Sequence, residues 1–214
     1  MKPSSMRSLC AAALLLGGTA AAHATTINDP VGDFLPGYTG AHAGDLDVTS
    51  ISVLLDGSDF VITGTMAAAI GTTSSAFYVW GVNRGAGTAG FAGIGQPGVL
   101  FDSVIVLRPT GASAVNLIGG VPASTPLNSS FITINGSSIT ARIATALLPS
   151  TGFALQNYGF NLWPRDSTQA GTAAISDFAP DNATVSVPEP ASLALLLVGL
   201  AGAGLRRGNR TQRS

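Results

Sequence analysis

Four carboxylates fall within nineteen residues near the start of the chain, in Asn28-Asp29-Pro30-Val31-Gly32-Asp33 and Gly44-Asp45-Leu46-Asp47. Glycines and a proline lie between them and let the backbone curl around a point. Hard cations such as Ca2+ take about six to eight oxygens from carboxylates, carbonyls and water in loops of this kind. Carboxylates so close repel one another unless a cation neutralises them. The spacing is not that of an EF-hand loop. Near the other end, Asp177-Phe178-Ala179-Pro180-Asp181 supplies further ligands if the terminal strands are neighbours. A structural Ca2+ on Asp29, Asp33, Asp45, Asp47, Asp177 and Asp181 is one expectation. The other is that aspartates beside Gly and Pro cap turns through Asx-type hydrogen bonds.

Other chemistry is limited by supply. Beyond residue 24 the only histidine is His42, in GYTGAHAGD, so no His cluster for zinc can form, and no G-x-S-x-G elbow is present. Gly85-Ala86-Gly87-Thr88-Ala89-Gly90 matches G-x-G-x-x-G, but the glycines and Pro97 that follow break the helix a dinucleotide site needs. A pair of aspartates at glycosidase separation is a further possibility, since separation is invisible in sequence. Trp163, in NLWPRD, is the aromatic best placed at a strand end to stack on a sugar, against the alternative that it packs in the core.

The elements that must position these residues read as strands. Residues 25–187 hold ten aspartates, four arginines, no lysine and no glutamate, a formal charge of −6. That charge argues against nucleic acid or an anionic membrane as partner, because both need basic patches. Abundant Gly, Thr, Ser and Val with no Glu or Lys favour strands and tight turns over helices. Apolar alternation predicts a hairpin over 47–66 turning at Asp56-Gly57-Ser58, and a second over 131–144 turning at Asn135-Gly136. FYVWGV, 77–82, is apolar on both faces and reads as a central strand; 99–107, 158–163, 173–178 and 184–187 read as strands, and 145–149 as a short helical turn. Eight to ten short strands predict an all-β chain with one antiparallel β-sandwich, a jelly roll being the alternative.

The two ends have a different character. Lys2 and Arg7, an apolar run from Leu9 to Ala22, and Ala22-His23-Ala24 predict a signal peptide over 1–24, removed by signal peptidase before Thr25. The only cysteine, Cys10, lies in that run, so the mature chain has no disulfide. At the C-terminus, Val187-Pro188-Glu189-Pro190 precedes an uncharged stretch, 191–205, and the arginines 206, 207, 210 and 213. Fifteen helical residues span roughly 22 Å, short of the ~30 Å hydrocarbon core. Arg206 and Arg207 can snorkel to close the gap and hold the terminus in the cytoplasm.

Val187, Pro188, Glu189 and Pro190, the apolar stretch and the Arg-rich end with Arg206 and Arg207 closely resemble the PEP-CTERM sorting signal of Gram-negative bacteria. The resemblance implies export across the inner membrane, transient anchoring over 188–214, cleavage by an exosortase-type protease, and a place at the cell surface or in an exopolysaccharide and biofilm matrix. Ice-binding proteins also carry such a tail, but the threonines here are scattered in sequence and show no regular array. The D-P-x-G-D start and the D-x-D before the first strand resemble exported bacterial β-sandwich modules, including carbohydrate-binding domains with a structural calcium. An address is not an activity. The expectation is a structural or binding protein without catalysis over 25–187; a carbohydrate-binding module, an ice-binding-type adhesin and a glycoside-acting hydrolase are the alternatives.

Overall fold

The computed structural model describes residues 24–187; the expected signal peptide up to residue 23 and the segment 188–214 lie outside them. Eleven strands follow in order: β1 (Thr25–Asn28), β2 (Val48–Asp56), β3 (Asp59–Met66), β4 (Ala76–Asn83), β5 (Ser103–Leu107), β6 (Ser113–Leu117), β7 (Ser124–Leu127), β8 (Ile132–Asn135), β9 (Ser138–Ala144), β10 (Gly159–Asp166) and β11 (Val185–Ser186). They form two antiparallel sheets, β1-β2-β3-β9-β8 and β11-β10-β4-β5-β6-β7. The sandwich expected from the alternation is present. The run β4 to β7 is a meander within one sheet, not the alternating path of a jelly roll.

The core lies between the sheets because every second residue of the longer strands, such as β2, β3 and β9, is buried and points inward. Ile51, Val53, Phe60, Ile62, Ile139 and Ile143 from the first sheet meet Tyr78, Trp80, Val82, Ile105, Phe160 and Leu162 from the second, all at most 1% exposed. Each such side chain contributes about 1.5–3 kcal/mol by leaving water. The 131–144 hairpin pairs Ile132 with Ala141 and Ile134 with Ile139, but its loop is Gly136-Ser137, one residue beyond the expected Asn135-Gly136. Gly136 takes the left-handed φ of +58° that the first loop position requires, while Asn135 stays in the ladder opposite Ser138.

Strand β4 is buried on both faces, as its sequence suggested. Its outer side carries a second apolar cluster of Val79, Trp163, Val99, Ile175 and Phe178. Two segments cover that side: the glycine-rich loop 84–102 and the strap 167–184. Gly81 permits the close packing here, since a Cβ would lie 2.4 Å from the Trp163 ring. The expected strand over 173–178 is instead a 3-10 turn, Gly171–Ala174, followed by isolated bridges Arg165↔Ile175 and Leu162↔Ala179. It crosses the face of the sheet rather than extending its edge, so Ile175 and Phe178 serve as a lid on Trp163. Strands β1, β6 and β7 carried too few apolar residues to be read from sequence. β7 tolerates Pro126 because it is an edge strand, where a missing N–H costs no ladder bond.

The outer face of the five-stranded sheet is uncovered and uncharged over two rows. The register aligns Thr26, Ser52, Thr63, Thr140 and Thr133 across all five strands. A parallel row runs from Asn28 through Ser50, Thr65 and Ser138 to Asn135. Thr63 and Thr140 share a 2.9 Å hydrogen bond, and Thr65 and Ser138 one of 3.0 Å. Residues that look scattered in the sequence are thus an ordered array in the sheet, contrary to the sequence expectation.

The glycine-rich loop is no nucleotide site. Only the short 3-10 turn Ala92–Ile94 follows its glycines. Buried Asp102 holds it in place, accepting from Arg84 Nε at 2.8 Å, the Ala86 N–H at 3.1 Å, and the Thr151 hydroxyl at 2.5 Å. The Asn83 side chain accepts from the N–H groups of Gly85 and Gly87. Asp102→Ala leaves the Arg84 guanidinium buried and unpaired, which costs about 3–5 kcal/mol. Urea unfolding will show that loss, whereas Arg142→Ala at the exposed pair with Asp56 and Asp59 leaves the midpoint nearly unmoved.

Candidate metal centre

Three segments far apart in sequence meet at one corner of the sandwich. β1 ends at Asn28 and passes into the loop 29–33, where the Asp29 N–H donates to Thr49 O at 2.9 Å. The 3-10 turn Gly44–Leu46 leads through Asp47 into β2. The strap arrives from the other side: Leu35 N–H donates to Ser176 O at 2.8 Å, and the Ser176 hydroxyl donates to Leu46 O at 2.6 Å.

Asp177 sits at the joint, 1% exposed, its Oδ2 accepting from Val48 N–H at 2.9 Å and its Oδ1 from Phe178 N–H at 2.7 Å. Each of those oxygens keeps a lone pair. Carboxylate oxygens of Asp29, Asp33 and Asp177 lie within 4.8 Å of one another. Asp47, 3% exposed, accepts from Gly32 N–H through Oδ2 at 2.9 Å, while its Oδ1 is buried without a partner. Asp29 Oδ2 and Asp33 Oδ1 are also buried and unpartnered. Asp181 adds its charge from the exposed rim, raising the pKa of Asp29 and raised itself by Asp33.

The electrostatics follow from crowding without compensation. Burial, then the charges of Asp33, Asp181 and Asp47, push the Asp29 carboxyl up to about 7. Burial pushes Asp177 to about 8, with Asp29 and Asp33 adding to it and the two backbone N–H groups opposing. Burial also raises Asp47 and Asp181. Among the described residues no cation relieves them. There is no lysine between residues 25 and 187, and the four arginines there are engaged elsewhere. Arg84 pairs with Asp102; Arg142 pairs with Asp56 and Asp59. Arg108 and Arg165 lie over the Phe77 ring at 4.3 and 5.9 Å. Several carboxylate oxygens converging in a partly buried corner, three of them orphaned, form the hard oxygen donor set that suits a divalent cation such as Ca2+.

The corner gathers Asp29, Asp33, Asp47 and Asp177 with Asp181 at its edge, but not Asp45. The Asp45 carboxylate is spent on Thr73, accepting from its N–H at 2.6 Å and its hydroxyl at 2.7 Å, a tie to a loop 28 residues away rather than a local Asx-type cap. Asp45 and Asp47 alternate along the chain entering β2 and serve different neighbours. The sequence also missed the backbone donors: Gly32 N–H, which orients Asp47, and Val48 N–H, which orients Asp177. Trp163 is 2% exposed, ringed by Phe91, Phe101 and Phe178 at centroid distances of 5.0–5.9 Å. It is core and cannot stack on a sugar, because the strap and the glycine-rich loop cover it. His42 is an exposed loop residue stacked on Phe34 at 4.3 Å.

Of the sorting residues, only Val187 is described; it is 4% exposed and joins the main core, whereas Pro188, Glu189, Pro190, Arg206 and Arg207 lie outside the described residues. The family model for the PEP-CTERM protein-sorting motif matches residues 186–208. No curated protein matches the chain. An all-β sandwich thus leads directly into a PEP-CTERM sorting motif, which marks the chain as an exported exosortase substrate sorted to the surface or extracellular space. Among the described residues no helix is long and apolar enough to cross a membrane; the expected segment 191–205 lies beyond them.

The raised carboxyls set a pH dependence. Their folded pKa values lie above the unfolded 3.8, so the folded state holds extra protons between about pH 4 and pH 8. The stability those protons provide is complete below the unfolded value and is lost as pH rises through the folded values. In EDTA the melting midpoint of residues 24–187 therefore falls from pH 5 to pH 8, and Asp177→Asn flattens that slope. A midpoint that rises over the same range contradicts the clustering.

Proposed function

We propose that this chain is an exported, non-catalytic module of a Gram-negative envelope or exopolysaccharide matrix, with a sandwich closed by a structural Ca2+. The observation carrying this reading is the set of buried, orphaned carboxylate oxygens at Asp29, Asp33 and Asp47 beside Asp177, with no cation among the described residues to balance them. Asp29, Asp33 and Asp177 are the ligands, and Asp47 and Asp181 add negative charge beside them. The cation supplies the positive charge that this corner lacks. Its role is structural because the carboxylates lie at a joint between chain segments. Three surface grooves among the described residues are lined instead around Arg108, Ile94 and Arg142. A glycosidase needs its two carboxyls flanking an accessible bond.

The hydroxyl rows on the five-stranded sheet favour a second, compatible reading, in which the module binds a neutral polysaccharide through that face. Short hydroxyl side chains at β-spacing, about 4.8 Å between strands, offer repeated donors and acceptors. The β-branched threonines also lose little side-chain freedom on binding. The absence of charge in both rows disfavours a charged polymer. Retention of the protein on a neutral polysaccharide, lost in Thr63→Arg with the fold intact, supports it; equal retention of the variant removes it.

Calcium is tested by melting residues 24–187 in EDTA and in millimolar Ca2+. At millimolar Ca2+ and a Kd on the order of 10⁻⁴ M, binding adds about 1.4 kcal/mol, a midpoint shift of roughly 3–6 °C for a domain of this size. Wild type shows that rise; Asp33→Asn loses most of it. No shift in wild type returns the aspartates to turn chemistry.

A further inference from the structure

The strap that carries Asp177 also carries the root of the sorting motif. It lies on Trp163 through Phe178, crosses to Asp181, and continues into β11, where Ser186 pairs with Gly159 and Val185 with Phe160. The motif match begins at Ser186, inside that strand, and Val187 is buried. No linker separates the folded body from the sorting signal.

What fastens the strap at the carboxylate corner is a small set of polar bonds and the aspartates themselves. Asn161 Nδ2 donates to Pro180 O and Ala183 O, and the Asn182 side chain accepts from Gly98 N–H. At the corner itself Leu35 N–H donates to Ser176 O, the Ser176 hydroxyl to Leu46 O and Val48 N–H to Asp177. Against these stands the repulsion of Asp177 by Asp29 and Asp33 and of Asp181 by Asp33. A divalent cation removes that repulsion and adds its own bonds to the carboxylates. β11, only two residues long, adds little to hold the segment by itself.

We propose that cation binding by Asp29, Asp33 and Asp177 is the event that locks residues 176–187 onto the sandwich, so that the root of the sorting motif docks only in a calcium-containing compartment. This rests on the calcium reading above and adds a condition and a consequence to it. Extracellular calcium modules work at dissociation constants on the order of 10⁻⁴ to 10⁻³ M, where cytosolic calcium leaves a site empty. The precursor thus stays open at its C-terminal side before export, and closes after it. Closure holds Val187, the residue before the Pro-Glu-Pro, in the core rather than at the end of a loose segment.

The test uses residues 24–187, which contain both apolar clusters in full, with three readouts. Calorimetric titration with CaCl2 reports binding. Trp163 emission reports the strap, since Phe178 covers that ring, while Trp80 lies in the main core and stays buried. Thermolysin cleavage between 167 and 184 reports release. In EDTA at pH 7.5 emission shifts to the red and cleavage is at least tenfold faster than in 2 mM Ca2+. Asp33→Asn, on the outer loop, behaves in Ca2+ as wild type does in EDTA. Phe178→Ala, which touches no carboxylate, loosens the strap in either condition. If calcium binds but emission and cleavage are the same with and without it, the lock is wrong and the calcium site stands. If no binding is measured at millimolar CaCl2, both are wrong.

Discussion

A concentration of negative charge without a counterion among the described residues governs this structure. Asp29, Asp33, Asp47, Asp177 and Asp181 come from three separate parts of the chain, and every arginine of the body is engaged elsewhere. Burial, then repulsion from neighbouring carboxylates, pushes the Asp29 carboxyl up to about 7 and the Asp177 carboxyl up to about 8 when nothing else balances them. The backbone N–H groups of Gly32, Val48 and Phe178 orient the carboxylates but cannot cancel their charge. Closing this corner therefore takes protons or a cation, and exported proteins meet calcium in plenty.

The corner matters because of what it joins. β1 and the start of β2 belong to the five-stranded sheet, whereas the strap lies on the outer face of the six-stranded one. Between the sheets a dense aliphatic and aromatic core needs no help from metal. Outside β4 and β10 the case differs: Trp163, Val79 and Val99 stay dry only while Phe178 and Ile175 cover them. Charge at the corner and apolar contact on Trp163 are two ends of one segment, so they are energetically coupled. The buried Arg84–Asp102 pair plays a comparable part for the glycine-rich loop, with both charges supplied by the protein.

The uncovered sheet face follows from the same composition. Between residues 25 and 187 there is no lysine and no glutamate, and two of the outward rows on this face are filled by Thr, Ser and Asn, which carry no charge. The result is an ordered polar surface on a protein with five of its aspartates gathered at one corner.

The sequence by itself determined the address, the fold class and most of the corner. Pro-Glu-Pro, an apolar stretch and terminal arginines are contiguous, so the sorting motif is legible without tertiary structure. Alternation in 47–66 and 131–144 fixed two hairpins because inward and outward positions on a strand differ by a single residue. Composition marked the aspartates as unbalanced. Only tertiary structure decided which of them meet. Asp45 and Asp47 are two residues apart, yet one accepts from Thr73 and the other from Gly32, since the chain turns between them. Sequence left Trp163 between packing in the core and a strand-end platform, and the strap that lies across it makes it core. The threonine rows are likewise absent from any single strand and exist only through register between strands. Contacts of this kind depend on segments separated by more than a hundred residues, such as Val48 with Asp177, and no local pattern encodes them.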